Sequence, residues 1–304
     1  MKKIICIGEL SLNMVLDAAG QPIGTLLGSR IANAAAILGR AKYNVLMASE
    51  AAADPVGDIV VRTLAAAGVA TDTIDRFTEG RTPLYIYVGG DATSGTVPTV
   101  TRYEQYPDEC FDIVWPRVNE GDVVVYGGFY AIDSRMRQRL KQFLLNAAER
   151  KAVLVYLPGF LPQLEPRLTR VMPQILENLE IAQIVVARAT DLSLIFGVDA
   201  TETCYHDHID FYCRSLIAVE PASRRMCYYS GNEVSAVEIP EVACIGMSWN
   251  AGAVAGVAAA IVDSGYTVDL FDAPEAGVRS NILARAAAFA TDAARSVRFD
   301  YLGF

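Results

Sequence analysis

Residues 244–256 read Cys-Ile-Gly-Met-Ser-Trp-Asn-Ala-Gly-Ala-Val-Ala-Gly. A turn at Gly246 follows an apolar run, and a helix is predicted over Asn250–Ser264. Ala251, Gly252, Ala255, Gly256 and Ala259 give that helix a small-residue face. Small side chains let a helix N-terminus and its unpaired N–H groups come close to an anion. The same face also suits a helix packed tightly in a core.

Outward from this stretch the chain alternates strands and helices. Strands are predicted at Lys3–Gly8, Val45–Ser49, Asp122–Tyr126, Ala152–Tyr156, Ile184–Ala187 and Leu216–Val219, with two more at Arg225–Tyr229 and Glu233–Ile239. Helices are predicted at 31–40, Ile59–Ala67, Ser134–Arg150, Pro166–Leu179, Ala189–Phe196, His206–Ser215 and Ala276–Ala294. This order implies an α/β fold, a doubly wound and mostly parallel sheet with helices on both faces. Residues 82–106 break the alternation: two β-rich runs, Pro83–Val88 and Thr96–Gln105, flank the turn Gly89–Gly95, as in a hairpin. The expectation is one domain over 1–304, with a small β lid built from about 10–17 and 82–106.

Composition narrows the function. The 304 residues carry a formal net charge of -9 without a basic run. A phosphate-backbone footprint needs clustered Lys and Arg, so no nucleic-acid partner is expected. No stretch of about 18 apolar residues suggests a membrane span, and no signal segment is read at the start. The six cysteines are scattered, which fits reduced thiols and a cytoplasmic protein. Cys204-Tyr-His-Asp-His208-Ile-Asp210-Phe-Tyr-Cys213 gathers metal-ligating types, but the spacing matches no zinc pattern and no metal site is assigned.

Three other stretches carry local chemistry. Gly8-Glu-Leu-Ser-Leu-Asn13 ends a strand on polar side chains, where the ligand crevice of an open α/β sheet lies. Gly28-Ser-Arg-Ile-Ala-Asn33 is a small-residue turn that admits a close approach of backbone to ligand, or an ordinary helix cap. Asp54-Pro-Val-Gly57 is a helix start, with Asp54 as cap.

In this order and spacing, the set resembles the ribokinase-like, or PfkB, family of carbohydrate kinases over nearly the whole chain. The carriers are the Gly8-Glu9 strand end, the Gly28…Ala32-Asn33 helix start, the Asp54-Pro-x-Gly57 turn, the lid strands and the late turn–helix. The resemblance implies ATP-dependent phosphoryl transfer to a sugar or nucleoside hydroxyl, with ATP and Mg²⁺ as cofactors and a homodimer through the β lid. It places the substrate at Asn13, Gly28, Ser29 and Asn33. It places nucleotide and phosphates at Arg188, Asp191, Glu220, Arg224 and Arg225, and the anion hole at Gly246, Met247, Ser248, Trp249 and Asn250.

Several of these positions depart from the family pattern. The late signature, roughly Asp-Thr-x-Gly-Ala-Gly-Asp, ends on the base that takes the acceptor proton. Here Gly246-Met-Ser and Trp249-Asn-Ala-Gly each fit a part with two residues between them missing, or an ungapped alignment puts Ala251 at the base position; either way no carboxylate stands there. Asn13 replaces an Asp, Arg188-Ala-Thr-Asp191 replaces Asn-x-x-Glu, and Leu157-Pro-Gly replaces Asp-Pro-Asn. Glu220-Pro-Ala-Ser-Arg-Arg225 replaces a glycine-bearing nucleotide loop. Glu220 there opposes a triphosphate, whereas Arg224 and Arg225 attract one. Clustered departures at the phosphoryl-transfer end imply an impaired kinase; the alternative is a non-catalytic binder of a sugar, nucleoside or protein partner.

Overall fold

The computed structural model describes residues 2–89, 99–105, 113–160, 165, 167–242 and 246–296. In chain order the elements are β1 (Ile4–Ile7), β2 (Leu12–Leu16), β3 (Pro22–Leu27), α1 (Arg30–Arg40), β4 (Val45–Ala52), α2 (Pro55–Ala66), β5 (Ile74–Phe77), β6 (Arg81–Val88) and β7 (Thr99–Gln105). Then come β8 (Val123–Gly127), α3 (Arg137–Glu149), β9 (Val153–Leu157), α4 (Leu168–Ile181), β10 (Ile184–Arg188), α5 (Ala189–Phe196) and α6 (Thr201–Cys204). The series closes with β11 (Ser215–Glu220), β12 (Arg225–Ser230), β13 (Glu233–Glu238), α7 (Met247–Ser264) and α8 (Ala276–Ser296).

The main sheet runs β13-β12-β11-β10-β9-β8-β1-β4-β5. Strands β5, β4, β1, β8, β9, β10 and β11 are mutually parallel, and β12 and β13 add an antiparallel edge. Its central strands are apolar at every position because both faces are covered. In β1, Ile4 and Cys6 face one core with α1, α2, α7 and α8, while Ile5 and Ile7 face the other with α3, α4 and α5. The chain order reverses at β1, which lies between β8 and β4. A crevice beyond the carboxyl ends of the strands opens at such a point.

A second sheet of four strands, β3-β2-β6-β7, forms the lid. Strand β3 belongs to it, beyond the segments expected from sequence; Pro22 and Gly24 masked it, and Pro is tolerated because β3 is an edge strand. Strand β5 was likewise unmarked. The helix expected over His206–Ser215 is corrected: α6 passes into a single π turn over Tyr205–Ile209, and Ser215 opens β11. The Tyr205 hydroxyl donates to the carbonyl of Arg214 and accepts from the Gly231 amide, which drives the chain out of helix. Helix α7 starts at Met247, three residues before the expected Asn250, with Gly246 as its N-cap. The lid turn over 90–95, Cys244 with Ile245, and the tail Arg298–Phe304 lie outside the described residues.

Helix α7 is buried along nearly its whole length and packs on α8 through its glycines. A Cβ at Gly256 would stand 2.6 Å from both the Cα of Ala286 and the carbonyl oxygen of Arg285. Alanine gains about 1 kcal/mol over glycine in helix propensity, but these neighbours are backbone and cannot rotate away. Overpacking of this kind costs about 1–3 kcal/mol. Gly256→Ala is therefore expected to lower the urea midpoint despite its better propensity; an unchanged or raised midpoint would show that α7 and α8 can part freely.

Candidate active site

Backbone comes first at this site. The Gly28 amide donates to the Ser11 carbonyl at 2.8 Å, so the end of β3 lies against the start of β2. A Cβ on Gly28 would meet Ser11 Oγ at 1.8 Å and Asn13 Oδ1 at 2.6 Å, so only glycine fits there. Ser29 follows at φ 61°, ψ 143°, a conformation that side chains rarely adopt, and its hydroxyl caps α1 by accepting from the Ala32 amide. Strain of this kind costs on the order of 1–3 kcal/mol and persists only where the surroundings enforce it.

Ser11, Asn13 and Ser29 edge a cavity of about 80 Å³ at the carboxyl ends of the parallel strands. Gly8, Gly127, Leu157 and Arg188 bring the ends of β1, β8, β9 and β10 to it, and Tyr85 and Tyr87 bring the lid. Ser11, Asn13 and Ser29 supply hydroxyl and amide groups along one wall. Asn33 does not line it: its side-chain amide donates to the carbonyls of Leu27 at 2.6 Å and Ser29 at 2.8 Å, bracing the turn instead. Gly28 acts in the same way, through close approach.

The far end holds an ionic triad. Arg30 donates to Asp191 Oδ2 at 2.7 Å, and Arg188 Nε donates to the same oxygen at 3.0 Å while its Nη2 reaches Oδ1. Arg30 also donates to the Pro158 carbonyl at 3.3 Å. Burial alone would raise the Asp191 pKa, but the guanidiniums of Arg188 and Arg30 outweigh it and hold the carboxyl at about 2. Both carboxylate oxygens are thus engaged by fixed cations, and among the described residues no group of three or more His, Cys, Asp or Glu converges on a metal position. The residues do not fit a divalent cation, which needs carboxylate or carbonyl oxygens turned toward it.

On the lid side, Glu9 accepts from Tyr85 at 2.9 Å and from Arg102 at 2.5 Å. Burial raises the Glu9 pKa, against the opposing pull of Arg102. Arg30, Tyr85 and Tyr87 were not assigned to the site from sequence, and Glu9 was read only as part of the Gly8-Glu9 strand end. The legible signals were a lone Arg at the head of an Ala-rich buried helix and the alternation of Tyr85 with Tyr87 on one lid face.

The stretch expected to form the anion hole opens α7. Gly246 is the N-cap of α7, and Met247, 2% exposed, packs on Val15, Tyr85 and Tyr87 of the lid. Trp249 is fully buried in the core, and its indole N–H has no partner among the described residues. Asn250 donates to the Gly246 carbonyl at 2.7 Å, and Ser248 is buried in the same first turn. None of Gly246–Asn250 lines the cavity.

The Glu220–Arg225 stretch is a hairpin turn closing β11 on β12, with Glu220 and Arg225 as cross-strand partners. Glu220 accepts from Tyr229 at 2.9 Å and Ser223 at 3.0 Å, and Arg224 donates to the Pro240 carbonyl at 2.8 Å. Arg225 is exposed at the head of β12. The structure does not bring these residues to the cavity.

An α/β crevice roofed by a four-stranded lid defines the class as a sugar- or nucleoside-kinase fold. Residues 1–237 match the pfkB family carbohydrate kinases, and the chain belongs to that family. No curated relative matches the sequence. Among solved structures, aminoimidazole riboside kinase from Salmonella enterica, complexed with aminoimidazole riboside and an ATP analogue, superposes with a TM-score of 0.80 at 12% identity, covering 98% of this chain and 94% of that one. Fructokinase from Vibrio cholerae O395 gives 0.77 at 14% identity over 96% and 98%. Fructokinase with bound ATP from Xylella fastidiosa gives 0.75 at 18% over 98% and 93%. No helix among the described residues is long and apolar enough to cross a membrane.

Glu50, in β4 beneath the crevice, gives this region a pH signature. Burial pushes its carboxyl up to about 9, and Tyr130 of the cavity wall lies 3.5 Å away. An unfolded Glu releases its proton near about 4.3. Between those values the folded protein holds a proton that the unfolded chain has lost, so stability falls as pH rises, by at most about 1.4 kcal/mol per unit. Glu50→Gln is expected to flatten the fall in denaturant midpoint between pH 5 and pH 8.5; an identical slope in both proteins would mean that Glu50 is ionised in the fold.

Proposed function

We propose that this chain binds a sugar or nucleoside in the crevice under the lid and has lost efficient phosphoryl transfer. The observation that carries the reading is the head of α7, where Met247 packs against the lid and none of Gly246–Asn250 is a carboxylate. A positioned base contributes about two to four powers of ten in rate. The carboxylates that line the cavity are Glu9 and Asp191. Asp191 is held by two guanidiniums and Glu9 by Arg102 and Tyr85, which leaves each poorly placed to accept a proton. The hairpin at Glu220–Arg225 supports the same reading, because Glu220 is held by Tyr229 and Ser223 and Arg224 by the Pro240 carbonyl. Asn13, Gly28 and Ser29 hold the sugar-side wall, with Asn33 bracing the turn behind them.

The kinase reading retains one specific support, the family itself. In that case Mg-ATP binds, and turnover rests on positioning alone. A homodimer through the outer strand of the lid is part of this proposal on either reading, since β3 and β7 are its open edges.

Two measurements separate the readings. Mg-ATP is expected to leave the melting temperature unchanged, and a panel of sugars and nucleosides to give turnover at least about a hundredfold below an ordinary kinase. A shift of several degrees with Mg-ATP, or turnover near about 10 per second, would restore the kinase.

A further inference from the structure

We infer that the crevice takes a ribofuranoside carrying a planar aromatic base, and that Phe129 and Phe160 select the base. The inference rests on the reading of this crevice as the ligand site.

The rim beyond β8 and β9 is the first support. Gly128 lies at φ 65°, and its amide donates to the Leu157 carbonyl at 2.9 Å. A Cβ on Gly127 would stand 2.0 Å from that same carbonyl oxygen, and one on Gly159 would stand 2.8 Å from the Gly128 Cα. Only glycine lets two turns touch in this way. Phe129 follows one side of the contact and Phe160 the other, so the meeting of the backbones brings both rings to one cavity.

The lid supplies the second. Tyr85 and Tyr87 line the same cavity from β6. They stand two apart on a strand and so share a face, and their rings lie 6.3 Å apart at 28° to one another. Aromatic side chains from the lid and from the sheet's carboxyl edge thus converge on one space. A planar ring placed there finds stacking partners from elements distant in sequence.

Polar partners are scarcer. Asp191 is engaged by Arg30 and Arg188, Glu9 by Tyr85 and Arg102, and the Ser29 hydroxyl by the Ala32 amide. An enclosed hydroxyl without a partner is costly. A free hexose carries a hydroxyl on nearly every carbon, all of which this crevice would have to satisfy. A riboside gives up its anomeric hydroxyl for the base and has fewer to place. Ser11 and Asn13 on the β2 wall offer a hydroxyl and an amide suited to those that remain. The pentose then belongs to the wall at Ser11–Ser29 and the base to the phenylalanine rim.

Titration calorimetry on the full chain tests this, comparing adenosine, inosine, uridine and cytidine with methyl ribofuranoside, ribose, fructose and free adenine. The expected result is at least one nucleoside binding about tenfold tighter than methyl ribofuranoside, a step of about 1.4 kcal/mol. Phe129→Leu and Phe160→Leu keep apolar volume and remove the ring, so each is expected to lower that ratio severalfold, whereas Phe160→Tyr retains it. A ratio unchanged in both leucine variants overturns the assignment to the rim. Should those variants fail to fold, the comparison in the unaltered protein carries the test. Methyl ribofuranoside or fructose binding as tightly as every nucleoside overturns the inference and leaves the ligand site in place. Adenine binding as tightly as adenosine overturns the riboside part. Absence of binding by all of these compounds overturns both the inference and the reading it rests on.

Discussion

Asp191 receives one guanidinium from the head of α1 and another from the end of β10, and this pairing sets the crevice. The two arginines approach from different elements of the fold, so the carboxylate ties the lid-side turn at Gly28–Arg30 to the sheet's carboxyl edge. Its place in the first turn of α5 adds a favourable contact with the helix dipole. A buried ionic group is weak evidence for net stability, since desolvation offsets much of the attraction. Its contribution is geometric. It fixes which groups face the cavity, and it removes from use the carboxylate that a metal ion would require.

The family fold survives these changes because the core asks for different properties than the chemistry does. Helix α7 needs small residues where it meets α8, and Gly252 and Gly256 meet that need: a Cβ on either would fall within 2.6 Å of a backbone atom. Nothing in that packing requires a carboxylate at the helix start. Met247 and Trp249 fill the space with apolar volume instead, one against the lid and one in the core. Function resides in sites carried by a fold, and a site can be lost while the fold stays.

Most of the architecture was legible because both faces of the sheet are covered. Runs such as Ile4–Ile7 and Val153–Leu157 are apolar throughout, and helices between them keep their periodicity. The end of α5 at Gly197, at φ 70°, was readable for the same reason that glycine commonly ends helices. Strand β3 was not, since Pro22, Gly24 and its exposed alternate residues look like a loop until β2 pairs with it. Of the site, the turn at Gly28 and the missing base were visible as residues. The pairing of Asp191 with Arg30 was not, because Arg30 lies 161 positions before it and only the folded sheet brings them together.

A further regularity links the altered positions. At Asp191, Glu220 and Arg224 the side chain finds partners within the chain. Glu220 is held by Tyr229 and Ser223, Arg224 by the Pro240 carbonyl, and Asp191 by two arginines. Asp191 is buried, and a buried polar group must find its partners from somewhere. The sugar-side wall shows the opposite tendency. Ser29 keeps a strained backbone that glycine would relieve, and Gly28 keeps an approach that any side chain would block. Strain of that kind is retained where a surface must hold a particular shape. The Gly28–Ser29 turn is thus the part of the crevice whose backbone is held to a fixed form.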